Sequence, residues 1–562
     1  MIHSFRPAGK ASRERAAPVA AKNTSPQLIP GPAGIFFVLL FLTGTLLCGS
    51  CSTLEGFRTT AQQTAEFLSP PWSCAESLKT LFGQASVGPI TTTYEPEYIH
   101  WFHEFVFIQA SRARIKALKA RYGSRFPDIA LAEQGSPAVY RVRKQDAAFF
   151  QDRGFSIQNS GPYLWIDPEL KVRKRSGRLQ DWMTGYKDEE LIERIMRTLS
   201  RRHPNLVRLI RLGDSVQNRP IYALRIARDF SRQKPSLLFN SGHHGMEVLS
   251  VEYSLDLACM LLDEDCYPNS VRMPPDLREY ILNETVVWIV PMVNPDGLHK
   301  FWYSNGYLGR KNANGVDLNR NYPFFWKSGN EMASSGSSSS YKYRGPEPAS
   351  EPETQAMMQL AREQRFLFSV SFHTYATRVL FPYTPDGAAN PYPDPAVFLA
   401  RRMAAPGTSY RTTRQYEAAR KLYSVDGTDQ DWLYHEFGTM AFIVEGSMST
   451  PSYEDALKSI SGMRPVILAG LMTIKEGPRV RFRVENSDGS PLRHARITVL
   501  SRTMYEGENW PVTNEFGEAD LFLVPEEEVI GEIQAPGFEK ARFRLECSSV
   551  CYRRFQLTPI PR

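Results

Sequence analysis

Four apolar runs constrain this chain more than any other feature. They are "PSLLFN" (235–240), "TVVWIVPMV" (285–293), "FLFSVSF" (366–372) and "TMAFIVE" (439–445), each bounded by turn signals. Runs of this length read as buried strands, and the segments between them carry helical patterns, as in "VEYSLDLACMLLDE" and "SEPETQAMMQLAREQ". In the second, Ser350 and Glu353 form a capping-box signature, with Pro352 in the first turn. Near-continuously apolar strands alternating with helices imply an α/β fold. The expected architecture is a mixed, largely parallel sheet with helices on both faces. Just past the strand ends stand His244 and Glu247, then Asn294 and Asp296, then His373, and at the fourth end Glu445. The carboxyl ends of strands are where open α/β sheets bind ligands, so these residues mark a candidate site.

The chain around that sheet divides further, since 562 residues exceed what one core can serve. A 42% hydrophobic and 23% charged composition is that of a globular protein. The net charge of +7 is spread along the chain, so no nucleic-acid partner is expected. Residues 1–51 read as an export signal. Arg6, Lys10, Arg13, Arg15 and Lys22 precede "GIFFVLLFLTGTLL" (34–47), then Cys48, Gly49, Ser50 and Cys51. The small residues before Cys51 resemble a bacterial lipoprotein signal, with Cys51 lipidated and holding the protein at the cell envelope membrane. Cys48 stands where an aliphatic residue is usual, and a plain secretory signal or an uncleaved anchor also fits.

Residues 52–133 form an N-terminal extension with polar helical stretches such as "EYIHWFHEFVFIQASRARIKALKARYG" (97–123). Residues 134–166 alternate as strand, short helix and strand, a small α/β appendage. A helix at 187–203 and strands at 206–213 and 220–227 open the central unit, 180–475. The tail, 476–562, reads as short strands with Gly, Asp and Pro turns, a small all-β sandwich. Export permits disulfides. For Cys547 and Cys551 a mutual link and two free thiols both fit, and with no Cys-x-x-Cys pair among Cys74, Cys259, Cys266, Cys547 and Cys551 no cysteine-bound structural metal is expected.

Two imidazoles and one carboxylate with a fourth position open are a common catalytic zinc set. His244 and Glu247 lie three apart, so one turn aims both at a single ion, and His373 reaches it from another strand. Taken singly, each has a plain alternative: a solvated His–Glu pair, or a hydrogen-bonded histidine at a strand end. Their joint placement with Glu445 favours a metal site.

From about 180 to 475 the chain resembles the zinc metallocarboxypeptidases of the carboxypeptidase A/B and N/E type. Nine motifs carry the resemblance, in the family's order: "GDSVQNRP" (213–220), "HGME" (244–247), "PMVNPDG" (291–297), "GRKN" (309–312), "GVDLNRNYPFFW" (315–326), "SEPE" (350–353), "SFHTY" (371–375), "LYSVDGTDQDW" (422–432) and "FIVEG" (442–446). The resemblance implies one Zn²⁺ per catalytic domain, with His244, Glu247 and His373 as its ligands and His243 as a bystander. It implies Glu445 as the general base and acid acting on a zinc-bound water. Arg310 would stabilise the oxyanion. Asn319 and Arg320 would grip the substrate's terminal carboxylate, a task for which a guanidinium fork is suited. Tyr423, eight residues before Asp431, would cap the substrate, and Gln430 would help set side-chain preference. Asp317 would accept from the free nitrogen of His244. Met246 departs from an arginine in the pancreatic enzymes. Asn218 replaces a usual glycine, and Gln430 is neutral where an acid or an aliphatic residue would signal a substrate class. The 476–562 unit resembles the family's transthyretin-like domain, and 134–166 faintly resembles its pro-segments.

The expected function is therefore an exported zinc carboxypeptidase acting on the C-termini of peptides or proteins. An alternative is a cell-wall hydrolase of the same fold, cutting muropeptides linked through diaminopimelate. A third is a peptide-binding protein on a dead enzyme, which the retained ligands and Glu445 disfavour.

Overall fold

The computed structural model describes residues 105–561, apart from 128, 134–136, 159–170, 172–176, 232–233, 268–270, 304–308, 410–414, 447–450, 452 and 509–510. The expectations for 1–51, for Cys51 and Cys74, and for 52–104 lie outside these residues.

The first element is a four-stranded antiparallel sheet of β1 (Phe105–Ala110), β2 (Ile129–Glu133), β3 (Ala138–Arg143) and β4 (Ile157–Gln158), in the order β2-β3-β1-β4. This corrects the helical reading of 97–123 over its middle. Val106, Ile108 and Ala110 are buried, the period of a strand, and the helix begins only at Arg112. The helix Arg112–Tyr122 starts where Ser111 accepts from the Arg114 amide at 3.2 Å. The small unit thus reaches from β1, well before residue 134, and has its own core around Ile108, Phe150 and Phe155.

The main sheet has eight strands: β5 (Val207–Asp214), β6 (Pro220–Ile226), β7 (Ser236–Ser241), β8 (Val286–Val290), β9 (Phe368–Thr374), β10 (Arg378–Leu380), β11 (Glu417–Ala419) and β12 (Met440–Gly446). Their order is β11-β10-β12-β9-β7-β8-β6-β5. The four expected strands are its centre, and β12, β9, β7 and β8 run parallel. The antiparallel pairs join the outer strands to that centre. Every residue of β7, β8 and β9 is buried, which requires helical layers over both faces.

The helix at Glu189–Arg202 is capped by Asp188, which accepts from Leu191 N at 3.0 Å. Helix Pro352–Gln364 departs from expectation, because its N-cap is Glu351 and the Ser350–Glu353 box does not form. Glu353 instead accepts from Val216 N (3.2 Å) and Asn312 Nδ2 (3.0 Å), so tertiary contacts outbid the local cap. Helix Tyr453–Glu476 is long and apolar enough to cross a membrane, yet Ile460, Met463, Ile467 and Leu471 are buried in the core.

The tail folds as two three-stranded sheets. One contains β13 (Arg479–Asn486), β15 (Glu518–Phe522) and β18 (Val550–Leu557); the other contains β14 (Arg496–Val499), β16 (Glu528–Gln534) and β17 (Ala541–Glu546). Val480, Phe482, Ile497, Val529 and Ile533 fill the space between them. Cys547 and Cys551 are disulfide-bonded, and so are Cys259 and Cys266. The second link was not expected. Asp263, at φ 57°, ends the helix Val248–Leu262 in a left-handed turn that brings Cys266 back to Cys259.

Candidate active site

The parallel strands set the site. In the β12–β9 register Glu445 stands opposite His373, so both side chains leave the sheet on one face. Strand β7 ends at Ser241, and the turn that follows carries His244 and Glu247 to the head of the helix Val248–Leu262. That turn needs Gly245, because a Cβ there would meet the backbone of Leu298 at 2.1 Å.

His244, Glu247 and His373 converge, with one potential ligand atom from each inside a 4.8 Å span, and all three are buried. His244 Nδ1 lies 2.7 Å from Glu247 Oε1, and His373 Nδ1 lies 3.0 Å from Glu247 Oε2. Thr374 N also donates to Oε2, at 3.0 Å. The other ring nitrogen of His244 donates to Asp317 Oδ1 at 3.0 Å, which turns Nδ1 toward the cluster. Although burial works against it, the charges of His244 and His373 hold the Glu247 carboxyl below its usual range. Two Nδ1 atoms and a carboxylate at this spacing fit a zinc ion, and the buried Glu445 Oε2 has no partner among the described residues. Burial pushes the Glu445 carboxyl upward, opposed by His373, Arg310 and Arg320.

Asp317 binds twice over. Its Oδ2 accepts from Arg310 Nε (2.9 Å) and Nη2 (2.6 Å), which brings Arg310 Nη1 to 3.3 Å from His244 Nδ1. Burial raises the Asp317 carboxyl, but Arg310, Arg320 and His244 prevail and hold it well below the usual range, so it stays ionised. On the His373 side, Asn319 Nδ2 lies 3.5 Å from His373 Nε2, and Arg320 Nη2 donates to Tyr423 Oη at 3.3 Å. Gln430 is buried; its Oε1 accepts from Ile443 N at 2.7 Å, and its Nε2 has no partner among the described residues. Tyr423 is half exposed. His244, Glu247, His373, Asp317, Arg310 and Asn319 are therefore linked by direct contacts.

Asn294 and Asp296 do not enter the cluster. Asn294 accepts from Gly297 N and donates to His243 O, while Asp296 holds the 213–220 turn through Ser215, Gln217 and Arg219. His243 is fully buried, 2.9 Å from Tyr322 Oη, and burial lowers its pKa to about 4, so it packs as a neutral ring. Asp429 was missed. Its amide donates to Asn319 Oδ1 at 3.0 Å and fixes that side chain, but in sequence it is one acid among neighbours.

Residues 192–456 match the zinc carboxypeptidase family, peptidase M14. Carboxypeptidase B2 of Bos taurus is 26% identical over 287 residues, covering 47% of this chain and 66% of its own length. A zinc carboxypeptidase of Saccharothrix mutabilis subsp. capreolus is 29% identical over 330 residues, covering 54% and 70%. The chain spans less than two thirds of the length of the bovine protein and of carboxypeptidase A6 of Mus musculus, 66% and 60%. The crystal structure of carboxypeptidase A from Helicoverpa armigera shares the fold, with a TM-score of 0.50 at 20% identity over 66% of this chain and 99% of that one.

Proposed function

We propose, for a chain that carries a zinc carboxypeptidase domain over residues 192–456, that it is an exported metallocarboxypeptidase removing C-terminal residues from peptides and proteins. The observation that carries this reading is the meeting of three potential ligands with Arg310, Asn319 and a Glu445 whose Oε2 has no partner among the described residues. His244, Glu247 and His373 would hold the zinc. The chemistry supplied by a bound zinc is Lewis acidity toward a carbonyl oxygen and a water beside it.

This chain's residues do the rest. Arg320 and Asn319 receive the terminal carboxylate, which restricts cleavage to the last peptide bond. Arg310, oriented by Asp317, stabilises the negative charge that develops on the carbonyl oxygen. Glu445 takes the proton of the attacking water and returns it to the leaving amine, a task suited to a carboxyl that burial shifts upward. Tyr423, half exposed beside Arg320, closes over the substrate, and Gln430 faces its side chain.

Two disulfides among the described residues support export to an oxidising compartment. The export signal at 1–51 with lipid attachment at Cys51 is the accompanying proposal, tested by the mass of the mature N-terminus. Activity is tested on a mixed peptide library with and without chelator, beside Glu445→Gln. Stepwise C-terminal loss that needs metal, and falls by about 10²–10⁴ in Glu445→Gln, supports the reading. Cleavage of muropeptides alone, or at internal bonds, overturns it. Full zinc occupancy with no turnover would instead indicate a binding protein.

A further inference from the structure

Asp317 grips one edge of the Arg310 guanidinium, and a ring covers its face. Tyr341 lies with its centroid 4.6 Å from the Arg310 Cζ, and its hydroxyl stands 3.8 Å from the sulfur of Met246. Tyr341 follows the serine-rich "SSGSSSS" (334–340), composition that alone would leave a loop without a fixed path. Here the segment is pinned to the site's own frame. Lys311, next to Arg310, donates to Ser338 O and Ser340 O, both at 2.9 Å. Asp317 N donates to Tyr343 O at 2.8 Å, and Ser334 donates to Asp426 at 2.7 Å. Tyr341 is nevertheless 50% exposed, so its ring is displayed at the site rather than buried for stability.

The cluster has two sides. Asn319 lies by His373, and its neighbour in sequence Arg320 reaches Tyr423; Arg310 lies by His244, and Tyr341 touches both Arg310 and Met246. A substrate with its terminal carboxylate at Arg320 and its scissile carbonyl at Arg310 must run on past Arg310. The residue just before the scissile bond then meets Tyr341 and Met246. A thioether beside an aromatic ring is an apolar, adaptable surface, and a ring over a guanidinium restrains it to one plane.

Resting on the carboxypeptidase reading above, we propose that Tyr341 is a positioning and specificity-determining residue. Its ring fixes the plane of Arg310 and, with Met246, forms a wall selecting an aromatic or long apolar residue immediately before the scissile bond.

The test uses the zinc-loaded full chain and two peptides that end in the same residue and carry Phe or Gly before it. The wild type should favour the Phe peptide by about 10-fold in kcat/KM. Tyr341→Ala should lower kcat on the Gly peptide by about 3- to 30-fold with KM unchanged, because Arg310 acts on developing charge. It should also abolish the preference for Phe. Tyr341→Phe keeps the ring and should keep both properties, and an unchanged Tm in Tyr341→Ala separates the effect from misfolding. If Tyr341→Ala keeps its kcat and its preference while the wild type cleaves, the inference alone is overturned. A Tyr341→Phe variant as impaired as Tyr341→Ala overturns it too, since the ring would then not be what acts. If the zinc-loaded wild type cleaves neither peptide, the carboxypeptidase reading falls and takes this inference with it.

Discussion

Asp317 serves two side chains with one carboxylate: Oδ1 accepts from His244, and Oδ2 from Arg310. In the proposed roles, orienting a zinc ligand and orienting the residue for the carbonyl are thus one event. Replacing Asp317 by Asn keeps the volume but removes the charge from both. We expect Asp317→Asn to bind zinc about 10–100-fold more weakly. At saturating zinc its kcat should stay low, because Arg310 has lost its counter-charge; zinc titration followed by kinetics on the loaded protein checks this. Recovery of full kcat at high zinc would show that Asp317 serves the metal alone. His244, Glu247 and His373 were legible at this scale because residue type, spacing and strand ends mark them, whereas Asp317 came into view only through the resemblance of its motif. Tyr341 was not, since a tyrosine after a serine run has no signature, and its contact with Arg310 exists only once the chain folds.

Among elements, the four central strands were legible because burial on both faces leaves an apolar run with turns at its ends. Local signals failed where distant partners decided. Ser350 and Glu353 had the spacing of a cap, but Glu353 is claimed by Val216 and Asn312. The strand β1 was hidden by the helical composition that follows it, and the Cys259–Cys266 link depended on a left-handed turn at Asp263. Glu353 gives this scale its prediction. Burial raises its carboxyl from 4.5 to about 7, so the folded chain binds that proton more tightly than the unfolded chain. Its contribution to stability is complete below pH 4.5 and is lost as pH rises through about 7. The slope approaches about 1.4 kcal/mol per pH unit inside that window. Urea unfolding across the window should show this slope in the wild type and a flatter one in Glu353→Gln; equal slopes would mean the proton is not taken up there.

At the scale of the whole molecule the β-sandwich is fastened to the catalytic unit. Its own core is separate, but Phe522 of β15 belongs to the catalytic core. Tyr505 packs on Phe324, Phe325 and Tyr383, and Tyr383 Oη donates to Glu508 at 2.6 Å. The sequence marked two units and carried no sign of this seam, because an apolar residue in a strand does not say which core it fills. Phe522→Ala should cost about 3–5 kcal/mol in urea unfolding followed by the fluorescence of buried Trp288 and Trp432 in the catalytic unit. A loss confined to the sandwich would contradict the coupling.

If the proposed carboxylate clamp beside a zinc site makes this chain an exopeptidase, a free terminal carboxylate decides cleavage. A peptide with a free C-terminus and the same peptide as its C-terminal amide are incubated with zinc-loaded protein, and the products are weighed by mass spectrometry. The free acid should lose single residues, the amide none, and no products should form once zinc is chelated. Equal processing of the amide, or fragments from internal bonds, would contradict it.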